Sequence, residues 1–233
     1  MRYCKKCVQP DTRPGIYFNE KGICGACLYQ EQAKKEIDWE ARQEELQEIA
    51  HWAKGKRRAY DCVIGVSGGK DSTFQSLYAR DVLGLRPLLV NSEPENITEV
   101  GRHNIENLKN LGFDVCALRP NPQVMKRLIK KDFYRYLNPV KVTEYSLWHS
   151  AYIVAQAFKI PLIIQGENPG LTLGVRKKTG TGGDALNFDQ QDTLEKDYLS
   201  EYVGDGIEPE DLFLFHSDRA ALQQEGIRAI WLG

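Results

Sequence analysis

No stretch of this 233-residue chain approaches the roughly 18 consecutive apolar residues that a membrane-crossing helix needs, so a transmembrane helix is not expected. The opening Met-Arg-Tyr-Cys-Lys-Lys-Cys has basic residues but no apolar core behind them. It therefore lacks the make-up of a secretory signal, and the expected compartment is the cytoplasm. Net charge is equally scarce. With 31 Lys and Arg against 32 Asp and Glu, the chain carries a formal charge of -1, which gives no global pull toward nucleic acid. Two local basic clusters remain, Lys54-Gly55-Lys56-Arg57-Arg58 and Arg176-Lys177-Lys178. The first reads as a solvated surface; the second lies in glycine-rich text beside a candidate active site, where anion binding and plain surface charge are equally reasonable. There is no internal repeat. What remains is ordinary globular composition, 42% hydrophobic and 27% charged, in a length that suits one full core and a small appendage.

The chain reads as three parts. Residues 1–35 are rich in cysteine, glycine and turn formers, with no apolar periodicity in the first 30. In residues 36–58, Ile37, Ala41, Leu46, Ile49 and Ala53 recur near helical spacing, which predicts an amphipathic linker helix packed down by Trp39 and Trp52. Residues 59–233 alternate short apolar runs with helical text. Strands are predicted at 61–66, 86–91, 114–118, 160–166 and 227–232, and helices at about 71–83, 97–111, 123–136, 144–158, 194–202 and 217–224. That alternation predicts an α/β fold, an open parallel sheet with helices on both faces. Residues 168–191, rich in Gly, Thr and Asn with little periodicity, read as a substrate-facing loop or a partly disordered segment.

Two constellations carry chemistry. Cys4-x-x-Cys7 and Cys24-x-x-Cys27 place two thiolates on each of two tight turns, the donor set of a closed, tetrahedral structural zinc site. Four thiolates also suit an iron–sulfur cluster, and either pair alone a redox dithiol; the spacing favours zinc. The second constellation is Ser67-Gly68-Gly69-Lys70-Asp71-Ser72, which follows a predicted strand and opens a helix. Gly68 and Gly69 let backbone approach an anion, the helix start aims N–H groups at it, and Ser67, Ser72 and Lys70 add donors. Asp71 would repel that anion unless a cation stood between them, which implies Mg2+ on the phosphates of ATP. The spacing departs from the Walker loop, which needs four residues between its first glycine and its Gly-Lys-[Ser/Thr]. Asn91, Ser92 and Glu93 end the second strand at the edge where adenine and ribose commonly sit in such sheets. Gly166, Glu167 and Asn168 end the fourth, as candidates for a second Mg2+ or a substrate contact.

The string SGGKDS resembles the loop of the PP-loop ATP pyrophosphatase superfamily. Taken with CKKCVQPDTRPGIYFNEKGICGAC, the following helix and Gln165-Gly166-Glu167-Asn168, essentially the whole chain is similar to the N-acetyl sugar amidotransferases of lipopolysaccharide and nonulosonate biosynthesis. The 10–15 segment between the knuckles is the most specific part, because zinc geometry does not require it. The resemblance implies an adenine nucleotide alpha hydrolase-like domain after the zinc module. In it, Ser67, Gly68, Gly69 and Ser72 hold the leaving pyrophosphate, and Asp71 helps hold Mg2+. It implies an enzyme that adenylates the acetamido oxygen of a nucleotide-linked sugar and lets ammonia displace AMP. It also implies a chain that continues beyond a final strand like 227–232. No glutaminase nucleophile is evident, since Met1 is not followed by cysteine and neither Cys62 nor Cys116 sits in a nucleophile elbow. The nitrogen is therefore expected from a separate glutaminase and a barrel-type ammonia-channelling subunit. Two rivals stay open. One is a transfer-RNA thiolation enzyme, which needs a reactive cysteine in the ATP domain. The other is a non-catalytic zinc-ribbon adaptor that senses nucleotide, for which Asp71 has no use.

Overall fold

The structure, a computed structural model, describes residues 1–12, 16–166, 185–186 and 199–232, with backbone alone at 32–34 and 36. Five short strands form one parallel sheet: β1 (Cys62–Gly65), β2 (Pro87–Ser92), β3 (Asp114–Leu118), β4 (Leu162–Gln165) and β5 (Arg228–Trp231). Their order is β3-β2-β1-β4-β5. The helices are α1 (Gly25–Glu36), α2 (Trp39–Gly55), α3 (Lys70–Leu77), α4 (Glu99–Asn110), α5 (Pro122–Tyr136), α6 (Lys141–Phe158) and α7 (Arg219–Gln224).

Side-chain alternation along the strands builds two cores. Cys62, Ile64, Leu89, Ile164 and Ile230 face Ile49, Ala50 and Ala53 of α2 and Ile105 and Leu108 of α4. Val63, Leu88, Val90, Ile163 and Ala229 face Ala151, Tyr152, Val154 and Ala155 of α6 and Leu222 of α7. Helices thus cover both faces, and the central strands are apolar on both sides, as a covered parallel sheet requires. A third core of Val124, Met125, Leu128, Val142, Tyr145, Tyr202, Ile207, Leu212 and Phe215 joins α5 and the start of α6 to the 3₁₀ helix Pro209–Phe215. Buried Asp132 ties this lobe together, accepting the Tyr202 hydroxyl proton and, at 2.7 Å, the Val142 N–H.

Several expectations need correction. The head is not all turn, because α1 begins at Gly25 and carries Cys27. Only the later half of α2 is buried, and Trp39 is exposed rather than packed. Trp52 does pack against the first core, and Lys56 and Arg228 each lie over its ring, 5.0 Å from the centre. The third helix leaves regular α geometry after Leu77 for a π turn over Tyr78–Val82, and the 3₁₀ helix was not anticipated. Of the expected loop at 168–191, only Ala185 and Leu186 are described. Both are buried, with the Ala185 N–H donating to the Ala229 carbonyl of β5 at 2.8 Å.

Candidate functional site

The sheet reverses direction of growth at β1, which has β2 on one side and β4 on the other. Beyond the carboxyl ends of strands at such a switch point, α/β sheets leave a crevice for ligand. The Ser67–Ser72 loop leaves β1 there, and Gly166 leaves β4 beside it.

The loop is shaped by its glycines. Gly68 has φ +75°, and a Cβ there would sit 2.8 Å from Asn104 Cβ on α4, so a side chain is refused by conformation and by space. Gly69 is the N-cap of α3 and offers no side chain to its first turn. By contrast, Asp38, Thr98, Asn121 and Asp218 cap α2, α4, α5 and α7 through their side chains. The first-turn N–H groups of α3 therefore meet no capping oxygen from Gly69, and an anion can take that place. Ser67 Oγ accepts the Gly69 N–H at 3.3 Å, and Ser72 Oγ donates to the Gly69 carbonyl at 3.2 Å. Lys70 and Asp71 are both exposed and form an ion pair at 2.6 Å. A carboxylate and an ammonium, both free to move, flank an uncapped helix start: one can hold Mg2+ and the other can meet phosphate directly.

The strand ends brace this loop. Asn91 is buried and donates its amide to the Val66 carbonyl at 2.8 Å, while the Val66 N–H donates to Val90 at 2.8 Å. Asn91 therefore fixes the loop's entry through one of its two amide N–H groups. Ser92 Oγ lies 3.4 Å from Ser146 Oγ on α6. Glu93 pairs with Arg119 at 3.6 Å. Gly166 faces the buried amide of Gln75 on α3, which any Cβ at Gly166 would overlap, so β4 and α3 can approach only because of this glycine. Glu167 and Asn168 lie outside the described residues, as does the 176–178 basic cluster.

The cysteine predictions concern a separate place. All four Sγ atoms lie within 4.8 Å of one another, with Cys4–Cys27 at 4.0 Å and Cys7–Cys24 at 3.6 Å. A tetrahedron with Zn–S bonds of about 2.3 Å has sulfur–sulfur edges of about 3.8 Å, so the donor set fits Zn2+. Burial works against ionising Cys4, but N–H groups of Cys24, Cys7 and Lys6 outweigh it and bring its pKa to about 6. Burial, followed by its Cys7 and Cys24 neighbours, pushes Cys27 up to about 12. Four crowded thiols cannot all ionise alone; a dication among them removes that conflict.

Sequence reasoning missed a third feature. Ser146, His149 and Ser150 are polar, buried and share one face of α6. That strip was the available signal. The Ser217 N–H, which can only donate, reaches His149 Nδ1 at 3.1 Å, and Ser217 Oγ lies 2.7 Å from the same atom. Nδ1 is thus the acceptor and Nε2 carries the proton, yet Nε2 has no hydrogen-bond partner among the described residues. A buried donor left so costs about 1–3 kcal/mol. Burial, then His216 nearby, pulls the imidazole pKa from its ordinary 6.5 down to about 3. An unfolded chain takes up this proton near pH 6.5, whereas the folded one refuses it until about pH 3. The contribution is intact above pH 6.5 and declines below it, by about 1.4 kcal/mol per pH unit. Wild type should therefore lose about 1 kcal/mol more unfolding free energy than His149→Gln between pH 6.5 and 5.5 in urea titrations. Parallel pH profiles would place the imidazole in solvent.

A cleft of about 710 Å3 lies on the α5 lobe, and three of its four lining cations are engaged: Lys131 with Asp205 at 3.1 Å, Arg135 with Glu201 at 2.8 Å, and Arg127 with the Gly206 carbonyl.

No protein-family model matches the chain. It is 29% identical over 117 residues to an uncharacterized protein of Methanocaldococcus jannaschii, covering 49% of this chain and 42% of that protein. The chain thus spans less than half the length of that relative. Among solved structures it is similar to NMN synthetase from Francisella tularensis, with a TM-score of 0.40 and 19% identity over 55% of each chain. It is also similar to NH3-dependent NAD synthetase from Campylobacter jejuni, with a TM-score of 0.40 and 14% identity over 57% of this chain and 58% of that one.

Proposed function

We propose that this chain is an ATP-dependent amidotransferase that cleaves ATP between its α- and β-phosphates and converts the acetamido group of a nucleotide-linked sugar into an acetamidino group. One observation carries the ATP half. At the sheet's switch point, a glycine loop opens an uncapped helix with Asp71 in its first turn. The sugar half rests on the resemblance of the cysteine head and the SGGKDS loop to the N-acetyl sugar amidotransferases.

An amide carbonyl is a poor electrophile and its oxygen a poor leaving group. In the proposed reaction that oxygen attacks the α-phosphorus of ATP, and the bond from that phosphorus to the bridging oxygen breaks, releasing pyrophosphate. Ammonia then attacks the activated carbon, and AMP departs with the former carbonyl oxygen. Loop N–H groups, the Ser67 and Ser72 hydroxyls and Lys70 serve the pyrophosphate as its charge develops. Bound at Asp71, Mg2+ supplies neutralisation of phosphate charge.

The thiolation alternative finds little support in the placement of cysteines. Cys62 opens β1 at the sheet's opposite edge, wholly buried, with its thiol pushed far up by burial and by Asp61. Cys116 lies inside β3, two strands from the loop. Neither Cys62 nor Cys116 stands at the carboxyl end of its strand.

Incubation with Mg-ATP, nucleotide-linked N-acetyl sugars and ammonium at raised pH should yield AMP, pyrophosphate and a sugar lighter by about one dalton, as NH replaces O. ADP and phosphate would overturn the proposal. With glutamine as sole nitrogen donor the isolated chain should be inactive, because ammonia at neutral pH is mostly protonated and a separate glutaminase with a barrel-type channelling subunit is proposed to deliver it. Efficient glutamine use by the chain alone would remove that partner. Use of sulfide with ammonium ignored would select thiolation.

A further inference from the structure

The carboxyl edge of the sheet has a second wall, formed by α6. Ser146 meets Ser92, the last residue of β2, through their hydroxyls. Trp148 packs edge-on against Trp231, the last residue of β5, with ring centres 6.1 Å apart. His149 follows directly, so its level in the fold is that of the strand ends rather than the middle of the sheet. From the loop, connection runs through Val66 to Asn91, to its neighbour Ser92, to Ser146 and one helical turn on to His149. The imidazole is 95% buried by exposed area, at 5% remaining. Its Nδ1 is committed to Ser217, and its Nε2 proton has no acceptor among the described residues. Proteins pair nearly all buried donors, so an exception calls for a partner from outside the fold or a reason of its own.

We propose that His149 is a substrate-binding residue: its Nε2–H donates a hydrogen bond to an uncharged hydroxyl oxygen of the nucleotide-linked sugar. This rests on the amidotransferase reading. Two considerations choose the acceptor. The ring is held neutral, with burial and the His216 ring 5.6 Å away both opposing a positive charge, and a neutral donor has no advantage on a phosphate. Phosphates are better served by the helix start at Gly69 and by Lys70. A donor to the attacking acetamido oxygen would withdraw the electron density that oxygen needs, so the bond belongs elsewhere on the sugar. His149 therefore acts on binding and selection rather than on the chemical step, and Ser217 sets its tautomer.

Imidazole 15N and Nε2–H proton resonances of the histidine-labelled full chain give the test, with UDP-N-acetylglucosamine and Mg-ATP as separate probes. The sugar nucleotide should shift the His149 Nε2–H signal downfield, whereas Mg-ATP should bind and leave it in place. His149→Phe should weaken sugar-nucleotide binding about tenfold or more without changing Mg-ATP affinity. His149→Gln, which returns an N–H near the Nε2 position, should recover most of the loss. An unmoved resonance with intact Mg-ATP binding overturns the inference and spares the ATP half of the reading. Movement with Mg-ATP alone, or equal losses of melting temperature in both variants with sugar binding unchanged, also overturns it. Failure to bind Mg-ATP overturns the reading itself, and the inference with it.

Discussion

Replacing Asp71 with asparagine is expected to lower turnover by about 100-fold or more and leave the fold untouched, the behaviour of a group whose work is confined to the charged phase of the reaction. Asp71 occupies the first turn of α3, its side chain is 80% exposed, and its one ion pair among the described residues is with equally exposed Lys70. A surface pair of that kind contributes little to stability, so the unfolding free energy should stay within about 0.5 kcal/mol of wild type. The asparagine keeps the shape and an oxygen but loses the charge that makes a metal tolerable beside phosphate. Its Mg2+ requirement should therefore rise along with the loss of rate, and high Mg2+ should recover part of the activity. Steady-state AMP release against Mg2+ concentration reads both effects. Equal activity at equal Mg2+ would remove Asp71 from the metal site.

Loss of the head's metal should be the largest structural effect. Purified protein should contain about one zinc per chain, and an iron–sulfur absorbance spectrum would refute the assignment. Cys4→Ser removes the thiolate that accepts N–H groups from Lys6 at 3.4 Å and Cys24 at 3.3 Å. Structural zinc supplies about 10–16 kcal/mol of apparent binding free energy in small zinc-finger modules. The head has little else, since Cys4, Cys24 and Cys27 are themselves its buried core, with Ile16, Phe18, Ile23 and Ala26 around them. The variant, or the wild type after chelation, should become protease-sensitive before α2. Because the sheet has its own cores, its cooperative melting should persist. Loss of both transitions together would mean the head is needed for the sheet to fold.

The sheet was legible because its strands are apolar on both faces and short. Runs at 61–66, 86–91, 114–118, 160–166 and 227–232 each coincide with an observed strand, with boundaries differing by at most two residues. What escaped had a weaker local signal. α1 begins inside a cysteine knuckle, where Cys24 and Cys27 turn toward the other two thiols and leave no apolar periodicity to read. Trp39 looked like an anchor because tryptophan usually is one, but the helix turns that position outward. At the candidate site, the glycines and Asp71 could be read from residue type and spacing. Gln75 against Gly166 could not, because their contact exists only once β4 lies beside β1. His149 is of the same kind: the imidazole is ordinary in sequence, and Ser217, which makes it distinctive, arrives from 68 residues away.

Trp52 has a bearing on how the molecule is made. It belongs to α2, ahead of the first strand, yet one face of its ring is met by Arg228 of β5, and Ile49, Ala50 and Ala53 share a core with Ile230. During synthesis the apolar side of α2 emerges from the ribosome early and cannot be fully covered until the last strand has been translated. Contacts of such sequence separation are slow to form. In the interval that side is open to chaperones or to aggregation, while the four-cysteine head has all its thiols in hand once α1 is made. Tryptophan fluorescence should therefore report the closing event of folding rather than the first.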